Sequence, residues 1–237
     1  MTKRIILTTA TCDNYYLDIF KVFLFTMGVN GNAKEPIAAD LINGNEEIYS
    51  RLKKIYNPLC INHIELSAKD WTVRENLLPL MRMRLPRMYN TMCENWDQIL
   101  SIDCDSIVRS DIGGIWDGVV PDVIKIWDRG SKKQAFTRVQ AGVHAFGNSE
   151  MIREYYRAFM EELGDKWEFR TGQATVYTVY LKFKEKIKLV QMPEKYNDSL
   201  FKRDSVIWHS KLSHFKETPF QDEFKKYLIE ANKIYER

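Results

Sequence analysis

The chain has 237 residues, 45% hydrophobic and 28% charged, enough for one large domain or a tight pair of subdomains with a sizeable core, which excludes global disorder. Its 35 basic and 32 acidic residues leave a net charge of +3, too weak a field to argue for a nucleic-acid partner. Cys12, Cys60, Cys93 and Cys104 form no CxxC pair and no secreted disulfide framework, and the apolar run Ile5 to Leu7 is too short for a signal peptide; these features point to a cytoplasmic protein with no transmembrane segment.

Strand and helix signals alternate, which predicts α/β architecture. Arg4 to Thr9 reads as a buried strand. Asp13 to Gly28 reads as a helix, with Leu17, Phe20, Lys21, Leu24 and Met27 at helical spacing, Asp13 as an N-cap and Gly28 as the stop. Ile37 to Ile42 is the second strand, Asn43-Gly44-Asn45 a turn, Glu46 to Tyr56 an amphipathic helix and Cys60 to Leu66 the third strand. Trp71 to Asn90 reads as a long helical region kinked near Pro86. Gln98 to Ile102 is a strongly apolar strand ending at Asp103. Asp122 to Trp127 and Val139 to Phe146 are strands, Ser149 to Leu163 a helix capped by Ser149, Gln173 to Phe183 a helix and Ile187 to Gln191 a strand. Thr218 to Tyr235 reads as an amphipathic helix with Phe220, Phe224, Leu228 and Ala231 on one side. The first half therefore predicts a βαβαβ unit feeding a Rossmann-like, mostly parallel sheet flanked by helices. Ligands of such sheets bind at the carboxyl ends of strands, here Thr8 to Asn14 and Asp103 to Ser106.

The second of these segments carries two carboxylates, Asp103 and Asp105, separated by one small residue. Residues i and i+2 of an extended chain project to one side, so the pair concentrates negative charge. Keeping both ionised where they are partly buried is costly without a cation. A hard divalent ion that completes its shell with substrate phosphates meets that need.

Several segments together resemble the GT-A glycosyltransferases, especially family 8, which includes glycogenin and bacterial lipooligosaccharide galactosyltransferases. The run Ile99-Leu100-Ser101-Ile102-Asp103-Cys104-Asp105-Ser106-Ile107-Val108, continuing to Asp111-Ile112, resembles the family's metal-binding strand end. Ile6 to Tyr15, with Asp13-Asn14-Tyr15, resembles its first strand and uridine loop. That likeness implies that backbone at Thr9 and Ala10 contacts the base, that Asp13 belongs to the loop and that Tyr15 stacks on uracil. Cys12 stands where the family often has an acidic uracil reader. Arg82 and Arg84 lie where the family has an arginine reaching sugar or phosphates, Arg84 aligning better. Gln140-Ala141-Gly142-Val143 resembles the strand beside the donor sugar, with Gln140 able to bond a hydroxyl. Gln173 matches a family glutamine near the anomeric carbon, although Gly172 replaces the acidic residue before it. Pro193-Glu194-Lys195-Tyr196-Asn197 resembles the segment after the last sheet strand. His209 matches the family's metal-binding histidine, and Lys216 or Lys211 its diphosphate-pairing lysine.

The resemblance spans about residues 4 to 216 and implies one GT-A catalytic domain over 1–237. Its parts are a nucleotide-binding half at 4–112, an acceptor and donor-sugar half at 113–216 and a C-terminal helix at 217–237. It implies transfer of a hexose or deoxyhexose from a nucleoside diphosphate sugar, UDP-linked, to a glycan or other hydroxyl acceptor, with retention. Asp103, Asp105 and His209 would hold Mn²⁺ or Mg²⁺, with Gln173 and Arg84 serving the reaction. Asp128 is the one acid considered as a general base. Two rival readings remain: a sugar nucleotidyltransferase, which would want a glycine-rich phosphate loop that Thr8 to Tyr15 lacks, and a non-catalytic nucleotide-sugar-binding domain.

Overall fold

A computed structural model of the chain describes residues 2–12, 14–65, 86–130, 138–164, 171–209 and 218–237. In chain order its main elements are β1 (Arg4–Thr11), α1 (Asn14–Val29), β2 (Ile37–Ile42), α2 (Glu46–Ile55), β3 (Leu59–Ile64), β4 (Gln98–Ile102), β5 (Ser106–Val108), β6 (Val123–Asp128), β7 (Val139–Gly147), α3 (Glu150–Leu163), α4 (Thr171–Phe183), β8 (Lys188–Gln191), β9 (Ile207–His209) and α5 (Thr218–Tyr235). Residues 86–93 are also helical; the rest of the long helix expected from Trp71 lies outside the described residues. A seven-stranded sheet has the order β3-β2-β1-β4-β7-β6-β8, and β5 and β9 form a separate two-stranded sheet. Pairings β1–β2, β2–β3 and β6–β8 are parallel, and β6–β7 is antiparallel. The expected α/β, Rossmann-like, mostly parallel sheet is what forms.

Two compact units are distinguished. One comprises Ile6–Leu66, Ile102–Ile115 and Pro193–Arg237; the other comprises Met1–Ile5, Ser67–Ser101 and Trp116–Met192.

In the first unit, β2 is buried along its whole length, as a strand of a parallel sheet covered on both faces must be. Helix α1 buries Phe20, Phe23, Leu24 and Met27 completely. It does not stop at Gly28. The chain leaves the helix through Asn30 and Gly31, whose N–H groups both bond the Thr26 carbonyl, and Asn32 supplies the left-handed turn at φ 49°. Gly28 stays helical, against the Tyr56 ring. Helix α2 starts where Asn45 Oδ1 accepts from Ile48 N at 2.9 Å, with Glu46 and Glu47 in the first turn and Lys53 and Lys54 in the last, both favourable to the helix dipole. Phe220 and Ala231 of α5 are buried, and Phe224 and Leu228 pack on a cluster of Val22, Ile107, Phe201, Trp208 and Phe220, so the expected apolar side is the docked one.

In the second unit, β6 and β7 pair with an irregularity between Ile126 and Trp127. Ser149 Oγ accepts from Ile152 N at 3.1 Å and caps α3, as expected. Tyr155 Oη donates to the Val176 carbonyl at 2.8 Å, tying α3 to α4. Thr175, Val176 and Val179 are buried, so packing overrides the weak helix propensity of α4. A side chain at Gly147 would collide with the Val120 carbonyl, which is why a glycine ends β7.

Candidate metal centre

The site is built wholly within the first unit, where Ile102 ends β4 and the chain turns at Cys104 and Asp105 before β5. The two carboxylates converge through this turn, rather than by strand alternation as the sequence suggested. Strand β5 then pairs antiparallel with β9 in the register Ser106↔His209, Ile107↔Trp208 and Val108↔Ile207. That register sets His209 opposite the residue after Asp105. His209 Nε2 lies 3.2 Å from Asp103 Oδ2 and 3.3 Å from Asp105 Oδ1. One ligand atom from each of the three residues falls within 4.8 Å of the others.

The imidazole is pre-oriented. Its Nδ1 lies 3.0 Å from Asn197 Oδ1, and Asn197 is fully buried. A carboxamide oxygen only accepts, so Nδ1 carries a proton and Nε2 is left facing the carboxylates, as an N–H donor when the ring is charged and as a lone pair when a metal takes that proton's place. This is the outer-shell bond that metal-ligating histidines use. Burial opposes charging His209, but Asp105 and Asp103 outweigh it and push the ring up to about 10. Burial raises the Asp105 carboxyl, against the pull of His209 and with the help of Asp103. The protein alone therefore satisfies the pair by keeping a proton on His209. Two carboxylate oxygens and a nitrogen ligand fit Mn²⁺ well and Mg²⁺ less closely.

Tyr15 belongs to the same neighbourhood. Partial burial and the charge of Asp105 both raise its phenol, and the residue is 43% exposed, with an edge contact to Tyr16 at 5.2 Å between ring centroids. Thr9 and Ala10 lie near the carboxyl end of β1, opposite Asp40 and Leu41 of β2. Of the other expected residues, two belong to the second unit and the rest lie outside the described residues. Gln140 is in the second unit, buried, with its amide oxygen turned to the Arg129 guanidinium. Gln173 lies in α4, its side chain outside the described atoms. Asp13, Arg82, Arg84, Lys211 and Lys216 lie outside the described residues. His63 pairs with Glu46 at 3.4 Å, and His144 Nδ1 meets the Ala141 carbonyl at 2.9 Å, so neither joins the site.

Asp128, the acid considered as a base, holds Arg138 through both oxygens at 3.1 to 3.3 Å, and its Oδ1 also accepts from Gly130 N at 2.8 Å. Asn197 is the site residue that sequence reasoning passed over. It stood inside a matched segment, but nothing in a one-dimensional pattern says which ring it touches.

Solved structures share this architecture. The glycosyltransferase GlyE from Streptococcus pneumoniae TIGR4 aligns over 100% of this chain and 63% of its own, with a TM-score of 0.65 at 15% identity. The apo structure of the bifunctional glycosyltransferase WbbM aligns over 100% of this chain and 52% of its own, with a TM-score of 0.62 at 14% identity. The chain has a glycosyltransferase fold. It spans less than two thirds of either of those proteins. No family profile and no curated protein matches the sequence. Among the described residues, no helix is long and apolar enough to cross a membrane.

Proposed function

We propose that this chain is the catalytic domain of a metal-dependent glycosyltransferase. It moves a hexose or deoxyhexose from a nucleoside diphosphate sugar, UDP-linked, to a hydroxyl of a glycan or glycoconjugate. The observation that carries this reading is the Asp103–Asp105–His209 cluster at the carboxyl end of β4, on a fold shared with glycosyltransferases. Bound there, Mn²⁺ or Mg²⁺ would supply the positive charge that neutralises a departing diphosphate.

The chain's own residues do the rest in this reading. Asp103 and Asp105 hold the cation, and Asn197 keeps the His209 lone pair aimed at it. Tyr15 offers a half-exposed ring beside the carboxylates for the base, with backbone at Thr9 and Ala10 and the Asp13 loop completing that subsite. Arg84 and Lys216 pair with the diphosphate, Gln140 bonds a sugar hydroxyl and Gln173 stands near the anomeric carbon. Asp128 is engaged by Arg138 and Gly130, which supports retention without it as a base, with the acceptor proton passing to the leaving phosphate.

A panel of UDP, GDP and CMP sugars with and without Mn²⁺ tests the reading by thermal shift, because a ligand bound only by the native state raises Tm. At least one donor is expected to raise Tm only with Mn²⁺ and to be hydrolysed slowly. Binding without turnover would favour the non-catalytic reading, and no response to any donor would overturn the proposal.

A further inference from the structure

The loop between Asn197 and Ser205 is organised around one buried carboxylate. Asp198 is fully buried and its oxygens take three donors: Oδ1 accepts from Leu200 N at 2.7 Å, and Oδ2 accepts from Lys202 N and from Ser205 Oγ, both at 2.6 Å. Burying a carboxylate is unfavourable unless such short, charge-assisted bonds compensate it. Closing a surface loop does not need that charge, so its placement asks for a reason.

The backbone supplies one. Asp198 N donates to the Ile207 carbonyl at 3.1 Å, and His209 N donates to the Asp198 carbonyl at 2.9 Å, so Asp198 brackets Trp208 and is fixed against His209. The residue before it, Asn197, holds His209 Nδ1. The loop is shaped to keep this arrangement. Phe201 sits at φ 56°, a left-handed conformation that is strained for a bulky residue, and its ring is held between Trp208 and Phe220. Arg109 donates to the Lys202 and Arg203 carbonyls at 3.1 and 2.8 Å while stacking 3.9 Å over the Trp208 ring.

We propose that Asp198 is a positioning residue for the metal centre: its carboxylate sets the backbone that aims Asn197 at His209 Nδ1 and so fixes the ligand geometry of His209. The inference rests on the metal reading above and adds a residue that touches neither metal nor substrate.

The test is Mn²⁺ affinity by calorimetry on the full chain. In Asp198→Asn, one of the two side-chain positions becomes a donor, facing either the Leu200 N–H or the Lys202 N–H and the Ser205 hydroxyl. The expected result is Mn²⁺ binding weakened about 10-fold or more, the range seen when outer-shell partners are lost, with an unchanged circular dichroism spectrum. Ser205→Ala removes one of the three bonds and should weaken binding in the same direction but less. It also keeps the test available if Asp198→Asn does not fold. Asn197→Asp, which keeps an acceptor on Nδ1, should retain Mn²⁺ binding. An Nδ1–H resonance of His209, protected by the Asn197 bond in the metal-free protein, should weaken in step with affinity, which a loop of purely structural importance would not cause. A folded Asp198→Asn protein, or a folded Ser205→Ala protein where the former does not fold, with lower Tm but wild-type Mn²⁺ affinity would overturn this inference and leave the metal reading standing. Absence of Mn²⁺ binding by the wild-type protein would overturn both.

Discussion

Two carboxylate sites in this chain have opposite electrostatics. In the second unit, Asp128 meets the Arg138 guanidinium through both oxygens, with side chains 17% and 23% exposed, and Arg138 stacks 4.1 Å from the Tyr177 ring centre. The charge is matched by a permanent cation of ideal fork geometry, so nothing further is required. In the first unit, Asp103 and Asp105 both meet the titratable ring of His209. A histidine supplies a positive charge or a metal-binding lone pair, never both. The closed pair holds structure together, whereas the open one can exchange its proton for a metal ion.

The largest expected effect comes from removing a ligand of the open cluster. Asp105→Asn should cut Mn²⁺-dependent donor hydrolysis by at least about 100-fold while circular dichroism shows a retained fold, more than loss of an outer-shell partner would cost. Undiminished activity in that variant would sink the site. Next is Asn197→Ala, which frees the imidazole to rotate and should weaken Mn²⁺ binding by about 10 to 100-fold in a calorimetric titration.

Proton–metal exchange sets a pH dependence of definite sign. His209 is raised from 6.5 to about 10 in the metal-free fold. A group raised on folding stabilises the native state fully below its unfolded pKa, and that contribution is lost as pH climbs through the folded value. Metal-free protein should therefore lose Tm between about pH 6.5 and 10, and His209→Gln should flatten that trend. Mn²⁺ affinity should run the other way and increase over the same window, because metal and proton compete for Nε2. At pH 7, binding should release about one proton, measurable as a buffer-dependent calorimetric enthalpy. The smallest effect on metal is expected at the closed pair. Arg138→Met should cost about 2 kcal/mol of stability in chemical denaturation and leave Mn²⁺ affinity unchanged. A change in affinity there would break the contrast.

Much of the fold was legible in local pattern. The limits of β2, β4 and α5 follow from continuous apolar runs and from helical spacing, and Ser149 caps α3 as its place before that helix predicts, whereas Asn45, read as part of a turn, also caps α2. Gly28 shows the limit of such rules: a glycine is free to end a helix but is not compelled to, and Asn32 took that conformation instead. Strands β5 and β9, three residues each, were not assigned as a pair, because so short a run carries no periodicity.

The sequence by itself determined that two carboxylates follow a buried strand, which rests on residue type and neighbours in the chain, and its resemblance to a glycosyltransferase family singled out His209 as the third ligand. Only the tertiary structure decided that the three meet. The β5–β9 register brings His209 to the aspartates, a buried Asn197 fixes its tautomer and Arg138 pairs with Asp128. Each of these is a contact between distant segments, fixed by strand register and packing, which local pattern does not encode.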